Sequence, residues 1–231
     1  MFSSQELSRT SSAFMSRVYF WMMLGLATSG LVAFAFASSP SALAPIYTNK
    51  LIWFGLIIVQ LGAVFTLSAM INRMSYFVTT MVYLGYAALT GVTFSVIFLA
   101  FTSQSIASAF FITAFAFVGL SVFAMVTKRD LTGLGTFCMT GLFGLIGFMI
   151  IAMIFPSIMS NAMSMTINIL AIMIFAGLTA YDTQRIKGFN MMYGASSGDM
   201  AKKAAISGAL MLYLDFINLF LNILNLMGDR R

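Results

Sequence analysis

Two of the six acidic residues in this chain lie inside long apolar segments, where a charge is costly. Asp182 stands in GLTAYDTQRIK, and Asp215 stands in LMLYLDFINLFLNILNL. An aspartate near the centre of a bilayer costs about 2.5 to 3.5 kcal/mol, so such residues usually face the interior of a helix bundle or a water-filled path. The structural alternatives are a neutral Asp215 hydrogen-bonded between helices and a hydrated Asp182 near the interface. Function is the default interpretation of Asp215, and the structural alternative is stronger for Asp182, because a residue one helical turn from the interface can be hydrated.

The segment around Asp215 carries its polar side chains on one face. They recur at i, i+3, i+7 and i+10 and are Asp215, Asn218, Asn222 and Asn225. At about 100° per residue, this spacing confines them to an arc of about 80° on a helix. A carboxylate and three amides in line predict a pathway lined with oxygen ligands.

A second apolar segment repeats this spacing with hydroxyl groups. The residues are Tyr83, Tyr86, Thr90 and Thr93. They are further candidates for lining a pore. Hydroxyls are weaker evidence than amides, because Ser and Thr can bond the backbone of their own helix.

Arg73, in SAMINRMSY, is a candidate latch for Asp182. If the apolar segments cross a membrane alternately, Arg73 and Asp182 lie at similar depth near the same surface, where a guanidinium and a carboxylate can pair. The alternative is an arginine that extends to lipid phosphates.

Asp182 and Asp215 lie on consecutive antiparallel segments, close enough in predicted depth to share a proton. Desolvation and mutual repulsion favour the protonated form of the pair, whereas an arginine favours the charged form. The chain has no His, so perturbed carboxylates are the main candidates for a response between pH 5 and 8. The two carboxylates also predict weak or transient Ca²⁺ binding, since Ca²⁺ prefers oxygen ligands.

Membrane-spanning helices must position these residues. Of 231 residues, 61% are hydrophobic and 8% charged, and mean hydropathy is +0.98. Seven apolar runs have about the 18 or more residues that cross a bilayer. They are Tyr19 to Ala37, Leu51 to Ile71, Phe77 to Phe101, Ile106 to Val126, Leu134 to Phe155, Thr166 to Arg185 and Ala205 to Met227. We predict an all-α integral membrane protein with a polar tail over residues 1–17 and a single seven-helix domain over residues 18–231.

Small residues recur at helical spacing in two of the spans. The first span has Gly25, Ser29, Ala33 and Ala37, and the fifth has Gly141, Gly144 and Gly147. Such stripes predict close helix packing in membranes.

Basic residues are distributed unequally between the two predicted sides. Nine of the twelve lie on one side: eight in the N-terminal tail and in the second, fourth and sixth connections, and Arg185 at the end of the sixth span. The positive-inside rule therefore predicts a cytoplasmic N-terminus and an outer C-terminus. The three basic residues on the outer side are Lys50, Arg230 and Arg231, and the last two oppose the rule.

Several function classes lack the residues that they need. Without His, and with Cys138 as the single cysteine, the chain cannot form zinc sites of the usual kind, Ser-His triads, Cys-His pairs or internal disulfides. The net charge of +6 lies in small groups rather than in a basic stripe, so nucleic acid is not expected as a partner. We expect no enzyme activity and no tightly bound cofactor.

Several motifs make the whole chain resemble the Bax-inhibitor family of seven-helix membrane proteins. The most specific are TAYDTQRIK and GALMLYLDFINLFLNIL, supported by SAMINRMS, ALTGVTFSVIF and TKRDLTGLG. The resemblance implies six helices in two three-helix layers around a central C-terminal helix. It also implies a proton-sensitive calcium leak through the bundle.

The family's functional residues correspond to positions in this chain. By resemblance, its aspartate pair is Asp182 and Asp215, and its basic latch on the second span is Arg73. Some members also carry a carboxylate on the second span, where this chain has only Gln60 and Gly62. Other relatives regulate membrane proteases or cell-death proteins.

The leading hypothesis is a pH-sensitive leak channel or slow transporter, with Ca²⁺ as the permeant ion and Asp182 and Asp215 as sensor and ion contact. One alternative is a non-transporting scaffold that regulates proteases or stress-response proteins through a membrane-protein partner. A remote alternative is an intramembrane aspartyl protease, but Leu212-Tyr213-Leu214 replaces the Gly-x-Gly that precedes the second aspartate in that class. The expected location is a bacterial cytoplasmic membrane, with the endoplasmic reticulum as the alternative.

Overall fold

The seven apolar segments form helices in the structure, a computed structural model that describes residues 4–39, 41, 44, 48–71, 73–193 and 198–230. Each of the seven is long and apolar enough to cross a membrane. The prediction of an all-helical membrane protein with seven spans is therefore confirmed over the described ranges. The helices are α1 (Ser4–Ala37), α2 (Lys50–Met70), α3 (Tyr76–Ala100), α4 (Ser103–Val126), α5 (Thr132–Ile154), α6 (Asn161–Tyr193) and α7 (Asp199–Met227), with a short 3₁₀ turn at Pro156–Ile158.

Several helices extend beyond the predicted apolar segments. α1 begins at Ser4 rather than Tyr19, so most of the polar tail predicted for residues 1–17 is helical. α6 and α7 also begin earlier than predicted. An apolar window ends at the first polar residues, whereas a helix continues as long as its backbone hydrogen bonds do. Three basic residues counted for topology have side chains outside the described residues: Arg9, Lys50 and Arg231.

Polar side chains cap the first turns of three helices. Asn49 accepts a hydrogen bond from a backbone N–H at the start of α2, and Ser75 and Thr102 do the same for α3 and α4. Asn, Ser and Thr are preferred at this position because their oxygens satisfy N–H groups that lack helical partners. These caps help to fix the short connections before α3 and α4.

Contacts group the residues into two compact units. The first unit comprises Met1–Phe101, Lys187–Tyr213 and Arg231, and the second comprises Thr102–Ile186 and Leu214–Arg230. The predictions of a single membrane domain and of two three-helix layers stay predictions.

Within the first unit, α1 and α3 approach closely at glycines. A Cβ at Gly91 would lie 2.6 Å from the carbonyl oxygen of Ser29, and a Cβ at Gly25 would overlap the hydroxyl of Tyr83. Ala33 is also buried. The packing stripe predicted for α1 is therefore confirmed at Gly25, Ser29 and Ala33.

The stripe predicted for α5 is only partly correct. A Cβ at Gly141 would meet the Ile174 side chain at 2.9 Å, as close packing requires. A Cβ at Gly144 or Gly147 would meet no described atom within 4 Å. The prediction is wrong for these two glycines, because threefold spacing alone does not show which positions face another helix.

Burial differs sharply between the helices. In α7, 61% of the most apolar 18-residue stretch is buried, against 6% in α2 and 11% in α5. The exposed side chains of α2 and α5 include many large apolar residues, which suits contact with lipid chains. α7 is thus the most buried of the seven spans.

Candidate functional site

Asp182 lies in the second half of α6 and is only 8% exposed. Its Oδ1 atom has no hydrogen-bond partner among the described residues. Most buried polar atoms in proteins do have a partner, so this carboxyl group requires an explanation. A group of this kind is a candidate for binding a proton, a water molecule or a cation.

The residue before Asp182 fixes α6 against α5. Tyr181 packs its ring over Gly135, where a Cβ would overlap the ring carbons. Glycine is therefore required for this close approach. It is one of the contacts that set the position of the neighbouring carboxyl group.

The two residues after Asp182 hold α6 to α4 and to the α4–α5 connection. The hydroxyls of Thr183 and Ser121 are 3.3 Å apart. Gln184 accepts a hydrogen bond from the backbone N–H of Leu131 and donates one to the carbonyl of Arg129, both at 2.9 Å. The YDTQ segment is thus anchored on both sides of its buried carboxyl group.

Asp215 lies in α7 and is 4% exposed, and its Oδ2 atom also has no partner in the described part of the chain. The next residue, Phe216, makes edge-to-face contacts with Phe110 and Phe117 of α4, each with a centroid distance of 5.6 Å. These rings anchor α7 beside the carboxyl group.

The carboxyl groups of Asp182 and Asp215 lie near enough to each other for their charges to interact. Both residues belong to the second unit. We call Asp182 and Asp215 the aspartate pair. Like charges in a poorly hydrated site repel strongly, so a proton or a cation between them is favourable.

Arg185 is a cation that sequence analysis missed at this site. It lies three residues after Asp182 on α6, and its positive charge acts on the carboxylate. In the sequence, Arg185 ends the sixth apolar run and adds to the charge bias, but its i,i+3 spacing from Asp182 also places the two side chains on one helix face. The side chain of Arg73 is exposed, and its role as a latch stays a prediction.

Lys203 is a second cation that was missed. It is 8% exposed, and its Nζ donates a hydrogen bond at 3.0 Å to the carbonyl of Met74, in the turn between α2 and α3. This contact ties the turn that carries Arg73 to the first part of α7. The signal was helical periodicity, since Lys203 precedes the buried Ile206 and Leu210 by three and seven residues.

The amides predicted to line a path occupy different environments. Asn218 donates to the carbonyl of Leu214 at 2.8 Å, and Asn222 donates to the carbonyl of Asn218 at 2.7 Å. Both are half-buried and bond their own helix, while Asn225 is exposed. Their role in a pathway stays a prediction. The amides of Asn218 and Asn222 each use one donor for a backbone carbonyl of their own helix.

The hydroxyls predicted on α3 lie in the first unit, and three of them are buried. Tyr83 donates to the carbonyl of Trp21 at 2.9 Å, and Thr90 donates to that of Tyr86 at 3.0 Å. Thr93 is half-buried and accepts a hydrogen bond from Gln60 at 3.2 Å. These are contacts of a packed core, and a pore-lining role for the four residues stays a prediction.

Tyr213 organises this core. Its hydroxyl is 2.7 Å from the hydroxyl of Ser29, which also donates to the carbonyl of Ala87 at 2.7 Å. The Tyr213 ring makes edge-to-face contacts with Tyr83 and Tyr86, with centroid distances of 6.3 and 5.8 Å. We call Ser29, Tyr83, Tyr86 and Tyr213 the Tyr213 cluster.

The aspartate pair provides only two carboxylates. Within the described ranges, no group of three or more His, Cys, Asp or Glu residues is arranged to hold a metal ion. The pair therefore does not form a high-coordination calcium cage built from side-chain carboxylates. Its chemistry suits a proton or a weakly held, exchanging cation.

Comparisons with known proteins extend over nearly the whole chain. A family model described as inhibitor of apoptosis-promoting Bax1 matches residues 11–231. The inner membrane protein YbhL of Escherichia coli K12 is 41% identical over 218 residues, which cover 94% of this chain and 92% of that protein. A Rickettsia prowazekii protein is 36% identical over 94% of this chain and 90% of its own length. A membrane protein of Streptococcus pyogenes is 31% identical, with coverages of 93% and 92%.

Proposed function

Because the chain belongs to the Bax-inhibitor family of membrane proteins, we propose that it is a pH-sensitive leak channel or slow transporter for Ca²⁺. One observation carries the proposal: two buried carboxyl groups on neighbouring helices interact electrostatically, and each has an oxygen without a hydrogen-bond partner among the described residues. Such a pair is costly in a membrane unless it binds something. In this proposal the protein is not an enzyme, and Ca²⁺ is a permeant ion rather than a cofactor.

Protons and Ca²⁺ compete for the same carboxylate oxygens in this mechanism. With Asp182 and Asp215 ionised, their combined negative charge attracts a cation, and with only two carboxylates the ion is held weakly enough to leave. A proton on either group lowers that charge. The occupancy of the pair therefore depends on both pH and cation concentration.

Two cations modulate the pair in the proposal. Arg185 partly balances the charge of Asp182 and so limits how strongly a cation is attracted. Arg73 acts as the latch near the cytoplasmic surface, as the family resemblance implies. Lys203 supports that latch by holding the backbone of the turn before α3.

The proposed location is the bacterial cytoplasmic membrane, with the N-terminus in the cytoplasm. YbhL is an inner membrane protein. The excess of basic residues in the N-terminal tail and the even-numbered connections supports the proposed orientation.

Calcium flux into liposomes that contain only this protein tests the proposal. We expect Asp215→Asn to stay folded and to reduce flux by about tenfold or more, because the amide preserves shape but removes the attracting charge. Asp199→Asn is the matched control, since Asp199 is an exposed aspartate on the same helix. It should leave flux unchanged.

Three other results would contradict parts of the proposal. Wild-type flux in Asp215→Asn would contradict the ion-contact role. Wild-type protein that passes no more Ca²⁺ than empty liposomes would contradict transport itself and favour the non-transporting regulator. Cleavage of a peptide, blocked by an aspartyl-protease transition-state analogue, would instead identify an enzyme.

The pH sensor is tested separately with Asp182→Asn. This variant should flatten the pH dependence of flux and of the conformational change, whatever the sign of the wild-type response. The conformational change is followed with a fluorescent pair on α2 and α6 in liposomes. A variant that still switches at the wild-type midpoint would exclude Asp182 as the sensor.

A further inference from the structure

An open cavity of about 470 Å³ lies within the second unit, apart from the aspartate pair. Its walls come from the end of α5, the connection that follows, the start of α6 and the end of α7. This volume is within the usual range of about 300 to 1,000 Å³ for small-molecule sites. The cavity is therefore large enough for a small polar ligand or a lipid head group.

The polar groups of the cavity are suited to an anion. The polar lining residues are Arg230, Ser164, Asn161, Asn168 and Asn225, whose side chains end in a guanidinium, a hydroxyl and three amides. Every one of these groups can donate a hydrogen bond. None of the described residues that line the cavity is Asp or Glu. Among the described lining residues, a cation such as Ca²⁺ would meet a positive charge and no carboxylate.

The number of donors favours phosphate over a carboxylate. A guanidinium can bind either group through two parallel hydrogen bonds. The three amides and the hydroxyl provide further donors, which a phosphate group can use because it has more acceptor oxygens than a carboxylate. The remaining wall is apolar and includes Met149, Met165 and Leu226, which suit the carbon portion of a phosphate ester.

The position of Arg230 in the sequence supports the same conclusion. Only three of the twelve basic residues fall on the predicted outer side, and Arg230 is one of them. A basic residue there opposes the topology bias, so orientation in the membrane does not explain it. Its place in the wall of a cavity rich in hydrogen-bond donors explains why a basic residue is found there.

We propose that this cavity binds the phosphate group of a phosphate ester, with Arg230 as the charged contact and the Asn161, Asn168 and Asn225 amides as hydrogen-bond donors. The ester is either an anionic phospholipid of the surrounding leaflet or a soluble phosphate ester. The cavity is near the ends of α5 and α7, a level at which lipid phosphates are available.

Native mass spectrometry of the delipidated protein in detergent tests the proposal, with phosphatidylglycerol as the probe and diacylglycerol as the lipid without phosphate. We expect one tight phosphatidylglycerol site for each chain and no comparable site for diacylglycerol. Arg230→Gln should weaken the tight site by about tenfold or more. Asn225→Ala should weaken it less, because its amide is neutral.

Arg129→Gln is the matched control, since Arg129 is also exposed but does not line the cavity. It should change the affinity by less than about twofold. Equal losses in Arg230→Gln and Arg129→Gln would mean that lipid binds only to general surface charge. That result, or equal affinity for diacylglycerol and phosphatidylglycerol, would overturn the proposal.

Glycerol 3-phosphate distinguishes the two sources of the phosphate group. If it competes with phosphatidylglycerol at the tight site, soluble phosphate esters are ligands as well. If the lipid binds tightly and glycerol 3-phosphate does not compete, the ligand is the lipid. Absence of a tight site for both probes would contradict the proposal, whatever the flux experiments show.

Discussion

The Tyr213 cluster of the first unit and the aspartate pair of the second are both sets of buried polar groups in apolar helices. In the cluster, the hydroxyls of Ser29, Tyr83 and Tyr213 all have hydrogen-bond partners. In the pair, each carboxyl group has an oxygen without one among the described residues. These three hydroxyls are therefore satisfied as folded, whereas the pair has capacity left for a ligand.

α7 carries a member of each set. Tyr213 and Asp215 are two residues apart, which at about 100° per residue places them on widely separated faces. One face thus completes a structural core, and the other presents a carboxyl group. The exception to the comparison is Tyr19, a residue of α1 whose buried hydroxyl also lacks a partner in the described ranges. Polarity alone does not distinguish structure from function in these helices, whereas the count of partners distinguishes the Tyr213 cluster from the aspartate pair.

The largest effect is expected at Asp215, where one substitution should raise stability and abolish flux. Asp215→Leu should raise the free energy of unfolding by about 1 to 3 kcal/mol, because it removes a buried group with an unsatisfied oxygen. It should also abolish flux. Unfolding in mixed SDS–detergent micelles measures the first effect, and liposome flux measures the second. A loss of stability would show that the carboxyl group is fully hydrogen-bonded in the folded protein.

In the Tyr213 cluster, a substitution should lower the free energy of unfolding rather than raise it. Ser29→Ala should lower the free energy of unfolding by about 1 to 2 kcal/mol, because the Tyr213 hydroxyl and the Ala87 carbonyl both lose a buried partner. Ser16→Ala is the control, since Ser16 is exposed on the same helix. The same micelle assay applies. Equal stability of the two variants would remove the structural role assigned to the cluster.

A smaller effect is expected for Tyr213→Phe, about 0.6 kcal/mol of destabilisation. The cost is modest because Ser29 keeps its bonds to the carbonyls of Ala87 and Gly25. In the Ser29→Ala background, the same substitution should be neutral or stabilising, since the tyrosine hydroxyl has already lost this partner. A double-mutant cycle measures that coupling. Strict additivity would show that the two hydroxyls do not interact.

The smallest effect concerns an exposed carboxylate that does have partners. Asp130 accepts hydrogen bonds from the hydroxyl and the backbone N–H of Thr132, at 2.6 and 2.9 Å, and they hold the pKa of Asp130 below its ordinary value of 3.8. A lowered folded-state pKa stabilises the protein above pH 3.8, and this contribution is lost as the pH falls through the folded-state value. Asp130→Asn should therefore lower Tm slightly at neutral pH and not at all in strong acid. A difference in Tm that does not change with pH would exclude a contribution from the charge.

The spans were predictable from sequence, while several helix ends were not. Seven apolar runs of sufficient length identify seven helices, because hydrocarbon permits few other backbone structures. The start of α1 at Ser4 was not predictable in this way, since side-chain polarity does not report where backbone hydrogen bonding stops. The same reason explains the early starts of α6 and α7.

The candidate site was predictable only in part. The cost of burying a charge identifies Asp182 and Asp215 from their positions in apolar segments. The burial of Lys203 was missed. Its neighbour Lys202 is the same residue type but is exposed, so residue type alone does not show which of the two contacts a carbonyl. Periodicity placed Asn218 on a polar face but did not show that its amide bonds the carbonyl of Leu214. Hydrogen-bond partners depend on three-dimensional contacts, which spacing along one helix does not specify.

The division of the aspartate pair between α6 and α7 also affects how the protein is made. Asp215 follows Asp182 by 33 residues. At a synthesis rate of about 5 to 20 residues per second, the ribosome completes Asp215 about 2 to 7 s after Asp182. During that interval, the growing chain contains the first aspartate but not yet the second. The aspartate pair can therefore form only after α7 has been made.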